Sequence, residues 1–226
     1  IDRDASKDGL KLIELLKNTG TTVMQATPTT WRLLLLSGWQ GFDNFKILIG
    51  AEPIPRDLIN ELLDRADSVW NMYGPTETTV WSTCEQMTKG DGPVLIGRPI
   101  ANTQVYLLDP DMNQVPIGTP GEIYIGGDGV TRGYLNRPEL NEKTFLADPF
   151  RSDQNAVLYK TGDLGKYDAQ GRIQHLARID KQIKIRGFRV ELGGIEAALC
   201  DHSSVHQAVV TVREDQKDDQ RLVAYI

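Results

Sequence analysis

Between residues 8 and 84 the apolar pattern switches repeatedly between a helical and an extended period, which limits the folds open to the chain. "GLKLIELLKNTG" is apolar at 10, 12, 13, 15 and 16, one face of a helix, and ends on Gly20 as a cap signal. "TTVMQATP" then reads as a short buried strand stopped by Pro28. "TTWRLLLLSGW" is helical, "FKILIGAEP" is a strand, and "PRDLINELLDRA" is an amphipathic helix with Pro55 near its first turn. "DSVWNMYG" supplies the next strand. Strand, helix, strand, helix, strand predicts a parallel sheet with crossover helices. Ligands bind such sheets at the carboxyl ends of the strands. "IGAEP" (49–53) and "NMYGPTE" (71–77) both follow strands, so they are expected side by side at that edge.

The pattern changes after residue 91. "TQVYLLDPD", "GEIYIGG" and "AVLYKTGDLGKYDAQGRIQHLARID" are strands joined by Asp, Gly, Pro and Asn turns, an all-β subdomain over 92–179. From 180 to 226, "KQIKIRGFRVEL" is a strand or hairpin, "GGIEAALCD" a short helix, and two strands flank the polar loop "EDQKDDQ". The fold class expected is therefore α/β: a partial parallel sheet with crossover helices over 1–91, then the β-rich subdomain, then a small α+β piece. The first residue is not Met and "RLVAYI" closes the sequence without a polar tail, so a longer parent is expected.

Composition removes several classes of function. A net charge of -6 opposes a general nucleic-acid binder, which needs an excess of Lys and Arg. The longest apolar runs, such as "RLLLLSGW", are far too short for a bilayer span, and no signal peptide is legible. Two distant cysteines, Cys84 and Cys200, read as reduced thiols of a cytoplasmic protein. His202 and His206 lie four apart, but no carboxylate or cysteine completes a metal site around them.

Several stretches can carry chemistry. In "NMYGPTETTVW", Thr76, Thr78 and Thr79 offer hydroxyls and backbone N–H groups suited to a phosphate. Glu77 is a hard oxygen ligand of the kind Mg²⁺ takes beside phosphates, and Tyr73 presents a flat face to a base. A plain β-turn with solvated threonines reads the same spacing equally well. Asp163, in "YKTGDL", could accept hydrogen bonds from two ribose hydroxyls, or simply make an Asx-turn in a hairpin. The glycine-rich "GEIYIGGDGVTRGYL" fails as a dinucleotide fingerprint. Its spacing is Gly127-x-Gly129-x-x-x-Gly133, and Pro138 is expected to interrupt any following helix. Those glycines are expected to serve tight turns. Arg178, Lys181, Lys184, Arg186 and Arg189 cluster in "RIDKQIKIRGFRVEL", either a solvated strand face or an anion-binding edge.

In order and spacing, "NMYGPTE", "GEIYIGGDGVTRGYL", "YKTGDL" and "RIDKQIKIRGFRVELGGIE" resemble the core motifs of adenylation domains of nonribosomal peptide synthetases. These belong to the adenylate-forming superfamily with acyl-CoA synthetases and luciferases. The resemblance implies activation of an amino acid by Mg²⁺ and ATP to an aminoacyl-AMP, with release of pyrophosphate. The acyl group then passes to the phosphopantetheine thiol of a peptidyl carrier domain, beside condensation domains of the same synthetase.

Residue by residue, the resemblance implies adenine at Asn71 and Tyr73, phosphate at Thr76, Mg²⁺ at Glu77 and ribose at Asp163, with Arg178 beside it. Gly50, Ala51, Met72 and Gly74 would line the nucleotide and amino-acid edges. Asp180 would be the hinge of a mobile C-terminal subdomain whose Lys184 to Gly187 face the pantetheine arm. The implied side-chain pocket is Gln25, Leu48, Gly50, Met72, Val80 and Trp81, a set that resembles glycine-activating domains. Bulky Trp81 and Met72 would exclude larger side chains by sterics, with alanine as the natural leak.

Ala177 and Gly194 depart from the family's usual Gly and Glu. The family's phosphate loop and amine-binding aspartate would precede residue 1, and its catalytic lysine would follow residue 226. The chain alone is thus expected not to catalyse adenylation. The readings set against this one are an acyl-CoA synthetase-type ligase, a non-catalytic nucleotide-binding or interaction module, and a dinucleotide-dependent oxidoreductase.

Overall fold

The computed structural model describes residues 7–179, 182–185, 188–215 and 220–226. It divides into two compact units, residues 1–177 and 178–226.

In the first unit, α1 (Gly9–Thr19) starts where Asp8 accepts hydrogen bonds from the Leu10 and Lys11 amides, and stops at left-handed Gly20. Leu12 and Leu16 are buried, whereas Leu10, on the same apolar pattern, is 68% exposed. The strand β1 (Val23–Ala26) leads to α2 (Pro28–Leu36), capped by the Thr27 hydroxyl with proline in the first turn. Then come β2 (Lys46–Gly50), α3 (Arg56–Leu62) directly after extended Pro55, and β3 (Ser68–Tyr73). β1, β2 and β3 pair in parallel, as the alternation predicts.

Two antiparallel strands, β4 (Thr83–Gln86) and β5 (Arg98–Pro99), extend this sheet beyond β3. Alternation assigns its faces. Ile47, Ile49 and Val69 point into a core with Leu12, Leu16, Leu34 and the aromatic cluster Trp31, Trp39, Phe45. The opposite face carries Gln25, Leu48, Trp70, Gly50, Met72 and Cys84, which register with one another across four strands.

The second sheet runs β10–β9–β7–β6. Its strands are β6 (Thr103–Leu108), β7 (Gly121–Gly127), β9 (Val157–Tyr167) and β10 (Ile173–Arg178), with β8 (Phe145–Ala147) paired to β9. Both faces are covered: Val105, Leu107, Ile123 and Ile125 fill one core, and Leu108, Tyr124 and Leu158 another. One expectation is corrected here. Pro138 does not interrupt a helix but begins one, α4 (Pro138–Thr144), because the first helical position needs no N–H donor and prefers proline's φ.

The second unit contains the hairpin β11 (Gln182–Ile185) with β12 (Phe188–Glu191), then α5 (Leu192–Cys200), then the antiparallel pair β13 (Val209–Glu214) and β14 (Gln220–Tyr225). α5 packs on β13, and Glu196 Oε1 accepts the Val210 amide at 2.8 Å. The mixed parallel and antiparallel sheets and the small α+β piece are the expected fold class. Cys84 and Cys200 are free thiols. Among the described residues no helix is long and apolar enough to cross a membrane.

Candidate active site

The sheet puts "IGAEP" and "NMYGPTE" against each other, since Gly50 registers with Met72 at the carboxyl ends of β2 and β3. Gly50 is buried, and the position has no room for anything larger. A Cβ there would lie 2.1 Å from the Met72 carbonyl oxygen and 3.1 Å from Cζ3 of Trp81. Trp81 therefore stands over Gly50 on the face shared by Leu48, Met72 and Gln25. Leu48 and Met72 are half-buried and Gln25 is exposed. Ala51 follows with a φ of 70, and Val80, 52% exposed, has a φ of 73. Left-handed backbone at a β-branched residue is strained and persists only where the surroundings impose it.

Those surroundings are a single 3-10 turn, Thr76–Thr78, and the return of the chain over Gly74. The Ser82 amide donates to the Tyr73 carbonyl at 2.8 Å, and the Trp81 amide to the Thr79 carbonyl at 2.9 Å. Of the three threonines, Thr78 is buried and shares its hydroxyl with Ser82 at 2.6 Å. Thr79 donates to the Gly129 carbonyl at 2.7 Å. Thr76 remains, exposed at the head of the turn. The glycine-rich segment is what covers this turn, with the Thr131 amide donating to the Glu77 carbonyl at 2.8 Å.

Asn71 and Tyr73 point the other way from Met72, as alternate residues of a strand must. Asn71 is 4% exposed and its amide donates to the Leu95 carbonyl at 2.7 Å. Tyr73 packs on the core of the second sheet and its hydroxyl donates to Asp163 Oδ2 at 2.6 Å, across 90 residues of sequence. His175 Nε2 lies 3.1 Å from Asp163 Oδ1. Asp163, in β9, is thus a 6% exposed carboxylate with a partner on each oxygen.

Glu77 is 7% exposed, and its Oε1 accepts from the Tyr134 hydroxyl at 2.5 Å. Burial, and then the bond to Glu77, push the Tyr134 phenol well above its usual range, so it stays a donor. Neither Tyr134 nor His175 is among the residues expected from the sequence. Tyr134 lies inside the glycine-rich motif, whereas His175 falls between "YKTGDL" and the motif that begins at Arg178; their pairing with Glu77 and Asp163 is a contact across 57 and 12 residues respectively. Arg178 closes β10 and opens the second unit. Asp180, Arg186 and Gly187 lie outside the described residues, as does Lys181.

Residues 1–135 match the family of AMP-binding enzymes. The chain belongs to that family. It is 44% identical over 225 residues to a dimodular nonribosomal peptide synthase of Bacillus subtilis (strain 168), covering 99% of this chain and 9% of that protein. It is 46% identical over 206 residues to a linear gramicidin synthase of Brevibacillus parabrevis, covering 90% of this chain and 4% of that one. The AMP-binding chain thus spans under a tenth of the length of these relatives.

Among solved structures, a holo four-domain nonribosomal peptide synthetase bound to AMP and glycine is 43% identical, with a TM-score of 0.74 over all of this chain and 17% of that one. A holo protein with adenylation and carrier domains, bound to a vinylsulfonamide inhibitor, is 27% identical with a TM-score of 0.88 over 96% of this chain and 39% of its own.

Proposed function

We propose that these residues form part of an aminoacyl-adenylating site of a nonribosomal peptide synthetase, working on ATP and a small amino acid, glycine foremost. The observation that carries this reading is the Tyr73–Asp163 bond at 2.6 Å, which brings a fixed carboxylate to the segment that also bears Thr76, Glu77 and Trp81. Asp163 accepts the two ribose hydroxyls, held in place by Tyr73 and His175, because an ionised carboxylate has about four lone-pair sites. Asn71 and Tyr73 set the adenine side, and Gly50, Ala51 and Gly74 keep backbone close to the nucleotide. Thr76 meets phosphate.

Glu77 suits Mg²⁺, which takes one or two carboxylates and completes its shell with water and substrate phosphates. Among the described residues there is no cluster of three or more acidic, histidine or cysteine ligands that would hold the ion without a nucleotide. When bound, Mg²⁺ offsets the negative charge of the phosphates. On the other face Trp81 and Met72 crowd Gly50, whose own Cβ would meet both of them; this crowding supports a substrate with a small side chain. The similar synthetase bound to AMP and glycine supports that substrate.

The reading extends to a peptidyl carrier domain bearing phosphopantetheine as the acceptor of the acyl group. It also takes a hinge at Asp180, two residues beyond the first position of the second unit. The test is substrate-dependent ATP–pyrophosphate exchange on the polypeptide that carries this chain, across amino acids and fatty or aryl acids. Exchange is expected with glycine and, more weakly, alanine. Exchange with the fatty or aryl acids alone would assign the site to an acyl-CoA synthetase-type ligase instead.

A further inference from the structure

Glu77 is reached from one side by a phenol that itself has an unusual support. The Tyr134 hydroxyl donates to Oε1 at 2.5 Å. A single side chain, Asn141, holds both backbone groups of Tyr134: its Oδ1 accepts the N–H at 2.7 Å and its Nδ2 donates to the carbonyl at 2.9 Å. Asn141 can approach so closely because Gly133 has a φ of +113 and no Cβ, which would sit 2.8 Å from Asn141 Oδ1. Asn141 stands on α4, the helix begun by Pro138, and its own amide bonds the Arg137 carbonyl at 3.0 Å.

The tyrosine ring is held edge-on by Phe145, 5.5 Å between centroids at 70°, and Phe145 leans on Tyr159 at 5.3 Å. Backbone and ring are both restrained, so the hydroxyl has little freedom.

We propose that Tyr134 is a positioning residue for Glu77, with Asn141 as its anchor, and that the pair sets the carboxylate for a divalent cation. This rests on the reading of Glu77 as the Mg²⁺ ligand. A free glutamate explores many rotamers, and Mg²⁺ demands near-octahedral geometry, so a donor fixed on one oxygen reduces the ordering that binding requires. Partners that orient a metal ligand are worth about 10–100-fold in metal affinity. The glycine-rich segment thereby acquires a role that its failed dinucleotide spacing did not suggest: Gly129 and Thr131 cover the turn, and Gly133 admits the anchor.

The experiment compares Tyr134→Phe, Asn141→Ala and Glu77→Gln in the polypeptide that carries this chain. One readout is the Mg²⁺ concentration for half-maximal ATP–pyrophosphate exchange. The second needs no turnover: Mn²⁺ binding in the presence of a non-hydrolysable ATP analogue, followed by electron paramagnetic resonance. Tyr134→Phe is expected to raise the Mg²⁺ requirement and weaken Mn²⁺ about tenfold, with the amino-acid KM unchanged. Asn141→Ala, which keeps the hydroxyl and releases its backbone, gives a smaller shift in the same direction. A merely structural tie would lower thermal stability and leave both metal readouts unchanged, which overturns the proposal. If Glu77→Gln also leaves them unchanged, the Mg²⁺ reading of Glu77 falls first. Should Tyr134→Phe not fold, Asn141→Ala decides by the same readouts.

Discussion

Replacing Gly50 by alanine adds one methyl group where the structure has least room. Its Cβ would lie 2.1 Å from the Met72 carbonyl oxygen and 3.2 Å from the Met72 carbonyl carbon, atoms of the neighbouring parallel strand. Non-bonded carbon and oxygen need more than 3.0 Å, so β2 and β3 must separate locally by about 1 Å. A flexible side chain could swing aside, but a sheet backbone cannot. Overpacking of this kind costs about 1–3 kcal/mol, and backbone contact puts Gly50→Ala at the upper end. Loss of glycine's freedom in the unfolded chain returns about 0.4–1 kcal/mol. The net is a loss of about 2 kcal/mol, or about 1 M in the urea midpoint for a slope near 2 kcal/mol/M. The assay is urea unfolding followed by tryptophan fluorescence. Gly92→Ala is the control, since it lies in the same unit and a Cβ there meets nothing within 4 Å. A Gly50→Ala midpoint equal to that of the parent would refute the reasoning, because it would mean that the two strands part at no cost.

Other outcomes follow from the same contacts. Trp81→Ala opens the space over Gly50 and is expected to shift the glycine-to-alanine ratio of kcat/KM toward alanine by about tenfold, since one methylene is worth about 1–3 kcal/mol in such a pocket. Substrate-dependent exchange measures it, and an unchanged ratio removes Trp81 from the pocket. Tyr73→Phe keeps the ring and removes the bond to Asp163, which should destabilise the chain by about 1.5–3 kcal/mol as a hydrogen bond to a charged group; urea unfolding reads it, and a loss near zero would contradict that pairing. Tyr124 is pushed up to about 12, by burial first and then by the Glu122 charge. The unfolded phenol loses its proton near about 10 and the folded one keeps it, so stability falls as pH rises from about 10 toward the folded value. Urea midpoints between about pH 8 and 11 should fall less steeply in Tyr124→Phe than in the parent; parallel curves would contradict the raised value.

Much of the first sheet was legible because its helices and strands each carry their own signal. Leu12 and Leu16 repeat at helical spacing, Thr27 and Pro28 start α2, and Gly20 stops α1, all within a few residues of chain. The same local reasoning failed at Pro138, where one residue type serves as a helix breaker inside and a helix starter at the first turn. It also over-read Leu10, because periodicity gives a face but not what covers it.

The candidate site divides along the same line. The sequence by itself determined which residue types stand after β2 and β3; once β3 is a strand, its two-residue period turns Met72 away from Asn71 and Tyr73. Only the tertiary structure decided their partners. Tyr73 meets Asp163 across 90 residues, Tyr134 meets Glu77 across 57, and Gly50 is required by a neighbouring strand's carbonyl. Such contacts depend on how one sheet packs against another and on which loop closes over a turn. No local preference encodes that, because it is the packing of the whole unit that sets the distances.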